Sequence, residues 1–398
     1  MMKKVKVFLL AVGLVLVLLT PTLAQAQGGL TILDNSAKAQ FPLQLHFSLS
    51  AESDVDITDI RLHYTVERES FAQVTSEVYI EFVPGTTVDA EWSWDMRRTG
   101  GLPPGSVVEY WWTVKDVSGD KIETTPTRVS FDDNRYAWRE FTKDKITIYW
   151  YEGRLPFAAE LMSASLQALT RLAEDTGAYL KKSVDIYIYA NTRDLQGAMI
   201  FPQEWTGGAA FTDFGIIVLG IDQGNISWGK TSIAHELTHL VVHQMTYNPY
   251  IGLPTWLSEG LATYNEGTLE PQLANYLESA VKNNNLISVR SLSSHFSAYA
   301  RESYLSYAQS YSLVEFLITT YGQDKMLELL TTFSRGSSYD GALEKVYGFD
   351  MDGLNILWRE YIFQSYQITG ATTATLPAAF SFISDMSLAI QTGAGGWS

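Results

Sequence analysis

From about Leu30 to Phe131, apolar and polar residues alternate in short runs. Examples are Leu43-Gln44-Leu45-His46-Phe47, Ile60-Arg61-Leu62-His63-Tyr64-Thr65-Val66, Val78-Tyr79-Ile80-Glu81-Phe82 and Val108-Glu109-Tyr110-Trp111-Trp112-Thr113-Val114. A period of two turns every second side chain to one face of a strand, and these runs are rich in aromatic and β-branched residues. Turn clusters such as Gly100-Gly101-Leu102-Pro103-Pro104-Gly105 separate them. The pattern predicts half-buried strands, six or so, folded into a β-sandwich over residues 30–133.

After Asp132-Asp133-Asn134 the period changes. Ile146–Tyr151 and Val184–Tyr189 read as strands on either side of an amphipathic helix over Pro156–Leu180. Gly208–Thr212 and Ile216–Leu219 read as a hairpin around Asp213-Phe214-Gly215. From Lys230 to about Phe363 the spacing is helical, in segments 232–246, 254–266, 271–283, 304–321, 323–334 and 352–363. The expected fold class is α+β. An N-terminal sandwich of immunoglobulin or fibronectin III type precedes a second domain, residues 137–365, with a small mixed sheet above a mainly helical layer. Residues 366–398, with Thr-, Ala- and Gly-rich stretches, are expected to form a poorly ordered tail.

The start of the chain reads as a secretory signal over residues 1–26: a basic opening, an apolar core from Val7 to Leu19 and an Ala-x-Ala ending at Ala26. The core is shorter than the roughly 20 residues of a membrane span, so export from a bacterial cell is expected, without stable membrane insertion once the signal is removed. There are 0 Cys residues, which excludes disulfides and thiolate ligands. The net charge of -16 argues against nucleic acid as a partner.

The chemistry concentrates in His235-Glu236-Leu237-Thr238-His239 and, downstream, Trp256-Leu257-Ser258-Glu259-Gly260. Residues four apart share a helix face, so His235 and His239 project side by side as two ligands of one Zn²⁺ must. Glu236 stands beside them as a general base for water polarised by the ion. His243 lies one turn further and rotated by about 40°, so it packs or makes a supporting bond rather than reaching the same ion. A third His at the spacing of the metzincins is absent, since Val242 and Met245 occupy those places. Glu259 is left as the third ligand, although a carboxylate near a helix N-terminus is also favoured by the helix dipole. One Zn²⁺ per chain, held by His235, His239 and Glu259, is the expected cofactor.

His-Glu-Leu-Thr-His followed by Trp-Leu-Ser-Glu-Gly-Leu-Ala-Thr-Tyr resembles the gluzincin metallopeptidases, most closely the bacterial peptidase MA-like domain proteins. It is also similar to the aminopeptidase N family and, more distantly, to thermolysin. The resemblance extends to Ser306-Tyr307-Ala308-Gln309-Ser310 and implies that Tyr307 donates a hydrogen bond to the developing oxyanion. Read from spacing alone, Tyr304, Tyr307 and Tyr311 form an aromatic packing stripe equally well. The resemblance also implies a substrate-binding strand at Gly208, Ala209 and Ala210. Ala210 stands where aminopeptidases carry the Glu that grips a free α-amine. Thr263 stands where thermolysin-like enzymes carry an Asp that orients a ligand His.

These features imply a secreted zinc metallopeptidase acting on peptides or proteins, with endopeptidase favoured over aminopeptidase. The alternative is an extracellular binding or adhesion protein whose zinc-peptidase-like domain is non-catalytic.

Overall fold

The structure, a computed structural model, describes residues 29–203, 206–297, 299–372 and 389–390. The expected signal, and the expected tail beyond Thr372 apart from 389–390, lie outside the described residues.

The N-terminal part contains β1 (Thr31–Gln40), β2 (Gln44–Val66), β3 (Ser76–Tyr79), β4 (Gly85–Asp95), β5 (Ser106–Asp116), β6 (Lys121–Glu123) and β7 (Thr127–Phe131). All seven join one hydrogen-bonded sheet, because β2 pairs with β1 and β4 through residues 44–52 and with β5 through 57–66. Phe47 and Tyr64 both lie on β2, yet their rings are 6.4 Å apart. In a straight strand seventeen residues would separate them by about 56 Å. The strand therefore folds back on itself at the register break between Glu52 and Ile57, and its two halves face each other as the two layers of a sandwich. Leu45, Phe47, Leu49 and Ala51 from one half and Ile57, Ile60 and Leu62 from the other fill the space between.

The second sheet is built from β8 (Arg139–Lys143), β9 (Ile146–Trp150), β10 (Val184–Tyr189), β11 (Thr206–Phe211), β12 (Ile216–Gly220) and β13 (Ala389–Ile390). Its order is β13-β11-β12-β10-β9-β8, with β9, β10 and β12 parallel, and β8 and β11 antiparallel to their neighbours. Beneath it lie α1 (Leu155–Thr176), α3 (Ile226–Thr246), α4 (Thr255–Asn265), α5 (Pro271–Lys282), α6 (Ala300–Tyr321), α7 (Gln323–Phe333), α8 (Tyr339–Tyr347) and α9 (Met351–Thr372), while the short α2 (Thr192–Gln196) follows β10. No helix among the described residues is long and apolar enough to cross a membrane.

Both faces of this sheet are covered, which explains why β12 reads Ile-Ile-Val-Leu without alternation. Ile186, Ile188, Ala210, Ile217 and Leu219 join the helical core below. Their neighbours Tyr187, Tyr189, Ala209, Ile216 and Val218 join the core of the N-terminal sheet above. The join is close: a Cβ added at Gly105 would lie 2.3 Å from the Tyr187 hydroxyl.

Several boundaries differ from expectation. The first long helix stops at Thr176 because Gly177 takes a left-handed conformation (φ 72°) and caps it. The motif helix begins at Ile226, six residues earlier than the apolar spacing indicates, and α9 continues to Thr372. The N-terminal sheet has seven strands against the six or so expected, with the runs Leu43–Phe47 and Ile60–Val66 joined in one strand, β2, while β8 and the helices α2 and α8 are additional to those read from the sequence.

Candidate metal centre and active site

The buried residues Ile233, Leu237, Leu240 and Val241 hold α3 in the helical core beneath β11 and β12. That placement buries His235, Glu236 and His239 as well, at 1%, 0% and 5% exposure. Helix α4 delivers Glu259, also buried. Gly260 makes this delivery possible. A Cβ there would sit 2.4 Å from the Ser310 carbonyl oxygen, so only glycine lets α4 cross α6 at this distance.

His235 Nε2 lies 3.5 Å and His239 Nε2 3.7 Å from the same oxygen, Glu259 Oε2. Neither Nε2 has a hydrogen-bond partner although both are buried. Ligands about 2.1 Å from a tetrahedral Zn²⁺ stand about 3.4 Å apart. The spacing fits ligands around an ion better than it fits hydrogen bonds. Among the described residues this is the group of three or more His, Asp or Glu side chains whose ligand atoms converge within 4.8 Å. An N₂O donor set of this kind suits zinc.

The rings are held from behind. His235 Nδ1 lies 2.5 Å from Glu266 Oε1, and His239 Nδ1 lies 3.2 Å from Ser258 Oγ. Both contacts use Nδ1 and leave Nε2 for the ion. Glu266 was not singled out from the sequence. Its signal was its place seven residues after Glu259, two helical turns on and on the same face. It supplies the supporting carboxylate that Thr263 lacks.

Burial disfavours a charge on either ring. At His235 the carboxylates of Glu259 and Glu266 outweigh it and raise the pKa to about 10. At His239 burial prevails and lowers the pKa to about 4, against the pull of Glu259. Burial also pushes the Glu236 carboxyl up to about 8; Glu259 and Glu266 add to this, while His235 and the main-chain N–H of Ala210 work against it.

The strand β11 passes directly over that carboxylate. A Cβ at Gly208 would lie 3.3 Å from Glu236 Oε1 and 2.5 Å from Leu219 Cδ2, so the main chain approaches this carboxylate closely. The side chains of Ala209 and Ala210 are buried in the two cores, and the strand can therefore offer a ligand only its main chain there. Its outer edge pairs with Ala389–Ile390 at Thr206 and Gly208.

The aromatic stripe on α6 divides. Tyr304 packs on Tyr276 and Tyr311 on Tyr264. Tyr307 instead turns toward the site, with its ring 6.5 Å from that of His235 and edge-on to Phe296 at 5.2 Å. Burial, then the charges of Glu259, Glu236 and Glu266, hold its phenol well above its ordinary pKa, so it stays protonated. His243 does not join the group; its Nε2 lies 3.3 Å from Asp213 Oδ1 and its ring packs on Tyr247.

Among solved structures, the M1 zinc metallopeptidase from Deinococcus radiodurans is 14% identical over 83% of this chain and 94% of its own, with a TM-score of 0.32. Aminopeptidase A from Legionella pneumophila, in complex with aspartic acid, is 10% identical over 83% of this chain and 50% of its own, with a TM-score of 0.38. Likenesses this slight carry no argument about activity. No curated protein matches. Residues 164–364, just over half of the chain and spanning every residue of the buried His–Glu–His–Glu group, match the Peptidase MA superfamily. The chain belongs to the Peptidase MA superfamily.

Proposed function

We propose that this protein is an exported zinc-dependent peptidase that cleaves within peptide chains. The observation that carries the reading is the convergence of His235, His239 and Glu259 at ligand spacing beside a fully buried Glu236. Zinc bound by the three would supply a Lewis acid and acidify the attacking water. Glu236 takes the proton of that water and passes it to the leaving amine. Tyr307, kept protonated by its surroundings, donates a hydrogen bond to the oxygen of the scissile carbonyl as charge builds there.

An extended peptide would add to the outer edge of β11, in the place of Ala389–Ile390. Ala210 supports internal cleavage, because its short buried side chain provides no carboxylate to hold a free α-amine. Export rests on the sequence of residues 1–26, which lie outside the described residues.

The test is cleavage profiling on a proteome-derived peptide mixture, with and without a chelator, for the wild type and Glu236→Gln. Chelator-sensitive internal cuts are expected for the wild type. The variant is expected to keep stoichiometric zinc and lose nearly all turnover. Trimming confined to N-termini would overturn the endopeptidase assignment, and full activity in Glu236→Gln would overturn the mechanism. Zinc without any turnover in the wild type would point to a binding protein.

A further inference from the structure

The strand beside Glu236 has one side left for a partner, and this chain already fills it. β12 takes the inner side of β11, pairing Ile216–Leu219 antiparallel with Gly208–Phe211. On the outer side Ala389 stands opposite Thr206 and Ile390 opposite Gly208, in a parallel ladder. Gly208 is the residue at which a Cβ would lie 3.3 Å from Glu236 Oε1. Neighbouring strands run about 4.8 Å apart, so the main chain at Ile390 lies one strand spacing from the residue that faces Glu236. A strand edge pairs with one chain at a time, because its outward N–H and C=O groups are used up by the first partner. The segment and an extended peptide therefore exclude each other.

The ladder is weak. It is parallel, the slightly less stable arrangement. Its register shifts between Thr206 and Gly208, where two steps along β11 match one step along β13. A peptide paired along all of β11, from Thr206 to Phe211, makes a longer ladder than these two residues do. What favours the short segment is its attachment to the same chain. A tethered strand acts at an effective concentration on the order of millimolar, with no partner to find by diffusion.

We propose that the outer edge of β11 is a docking site for this chain's own segment at Ala389–Ile390, and that the segment competes there with peptide substrate. This deepens the peptidase reading above and rests on it. The edge is covered in the resting chain and becomes available as a substrate strand replaces the segment.

The experiment uses the full-length, zinc-loaded protein with Ala389→Pro and Ile390→Pro introduced together. Proline has no N–H to give and cannot sustain the ladder. For a peptide that the wild type cleaves, the double variant should lower KM roughly tenfold, the worth of one or two main-chain hydrogen bonds. Its kcat and zinc content should not change. A synthetic peptide of residues 385–394 should inhibit the double variant competitively at about 0.1 mM, one tenth of an effective concentration near 1 mM. The same peptide, carrying a fluorophore, should bind Glu236→Gln about tenfold more tightly when both prolines are present, as read by anisotropy without turnover. An unchanged KM, or equal peptide binding, would show that the segment only covers an exposed edge; that would overturn the proposal and leave the peptidase reading intact. So would removal of the segment by the wild type itself, seen by mass spectrometry and absent in Glu236→Gln, since a substrate is not a retained competitor. If neither the wild type nor the double variant cleaved any peptide, the peptidase reading would fall and this proposal with it.

Discussion

Glu266 Oε1 lies 2.5 Å from Nδ1 of His235, while Nε2 of the same ring points at Glu259, 3.5 Å away. One imidazole is thus held between two carboxylates from a single stretch of chain, one fixing its orientation and the other sharing its ligand face. Removing the supporting carboxylate should loosen the ring without removing a ligand. Glu266→Gln is expected to weaken zinc binding by about 10–100-fold, read by competition with a chromophoric chelator. Unchanged zinc affinity would show that Glu266 is only a packing neighbour.

The division of the aromatic stripe separates two readings of Tyr307. If it donates to the developing oxyanion, Tyr307→Phe keeps zinc and KM and lowers kcat by about 100-fold. If it is one more packing ring, the substitution leaves kcat within a few-fold of wild type. Steady-state kinetics alongside zinc content decides between them.

At Gly260 the steric argument gives a direct forecast. Alanine would place a carbon 2.4 Å from the Ser310 carbonyl oxygen, and the nearby Val314 Cγ2 leaves no room to turn aside. Helices α4 and α6 must separate, at a cost of about 1–3 kcal/mol. Gly260→Ala should lower the melting temperature by several degrees and weaken zinc binding as well, because Glu259 moves with the helix. Calorimetry showing a wild-type melting temperature would refute the crossing.

The difference between what was legible and what was not follows from range. The positions of His235, Glu236 and His239 are set by spacing within one helix, so the sequence displayed them directly. Glu259 could be reached by excluding His243, whose extra rotation along α3 carries it to Asp213 instead. Glu266 was legible in principle, two turns after Glu259, but its partner lies on another helix and nothing local marks it. Reading Leu43–Phe47 and Ile60–Val66 as separate strands implies the change of direction between them, and Ser53-Asp54-Val55-Asp56 supplies the turn residues for it. What stayed hidden is that both runs belong to one continuous strand, β2, because that depends on pairing with β1, β4 and β5. The separation of Tyr307 from Tyr304 and Tyr311 depends on Tyr276, Tyr264 and Phe296, which are distant in sequence.

Asp185, on β10, gives a pH prediction away from the site. Burial, with Glu140 nearby, raises its carboxyl above the ordinary value. The folded chain therefore keeps a proton that the unfolded chain releases, and stability falls as pH rises above the unfolded pKa of about 3.9 toward the raised folded value. Asp185→Asn should melt higher than wild type at pH 7 and lose that advantage near pH 3.5. A constant difference across this range would show that ionisation of Asp185 is not the cause.

The sheet that carries β11 has the helices on one face and the N-terminal strands on the other, with Tyr187 and Ile186 assigned to opposite cores one residue apart. Cutting the chain between the two halves would lay bare a row of Tyr, Val, Ile and Ala side chains across the whole upper surface of the half that carries Glu236. Such a fragment would be expected to aggregate rather than stay folded as a trimmed domain. The N-terminal half is in this sense a permanent roof, and scanning calorimetry should find the two halves melting in one transition.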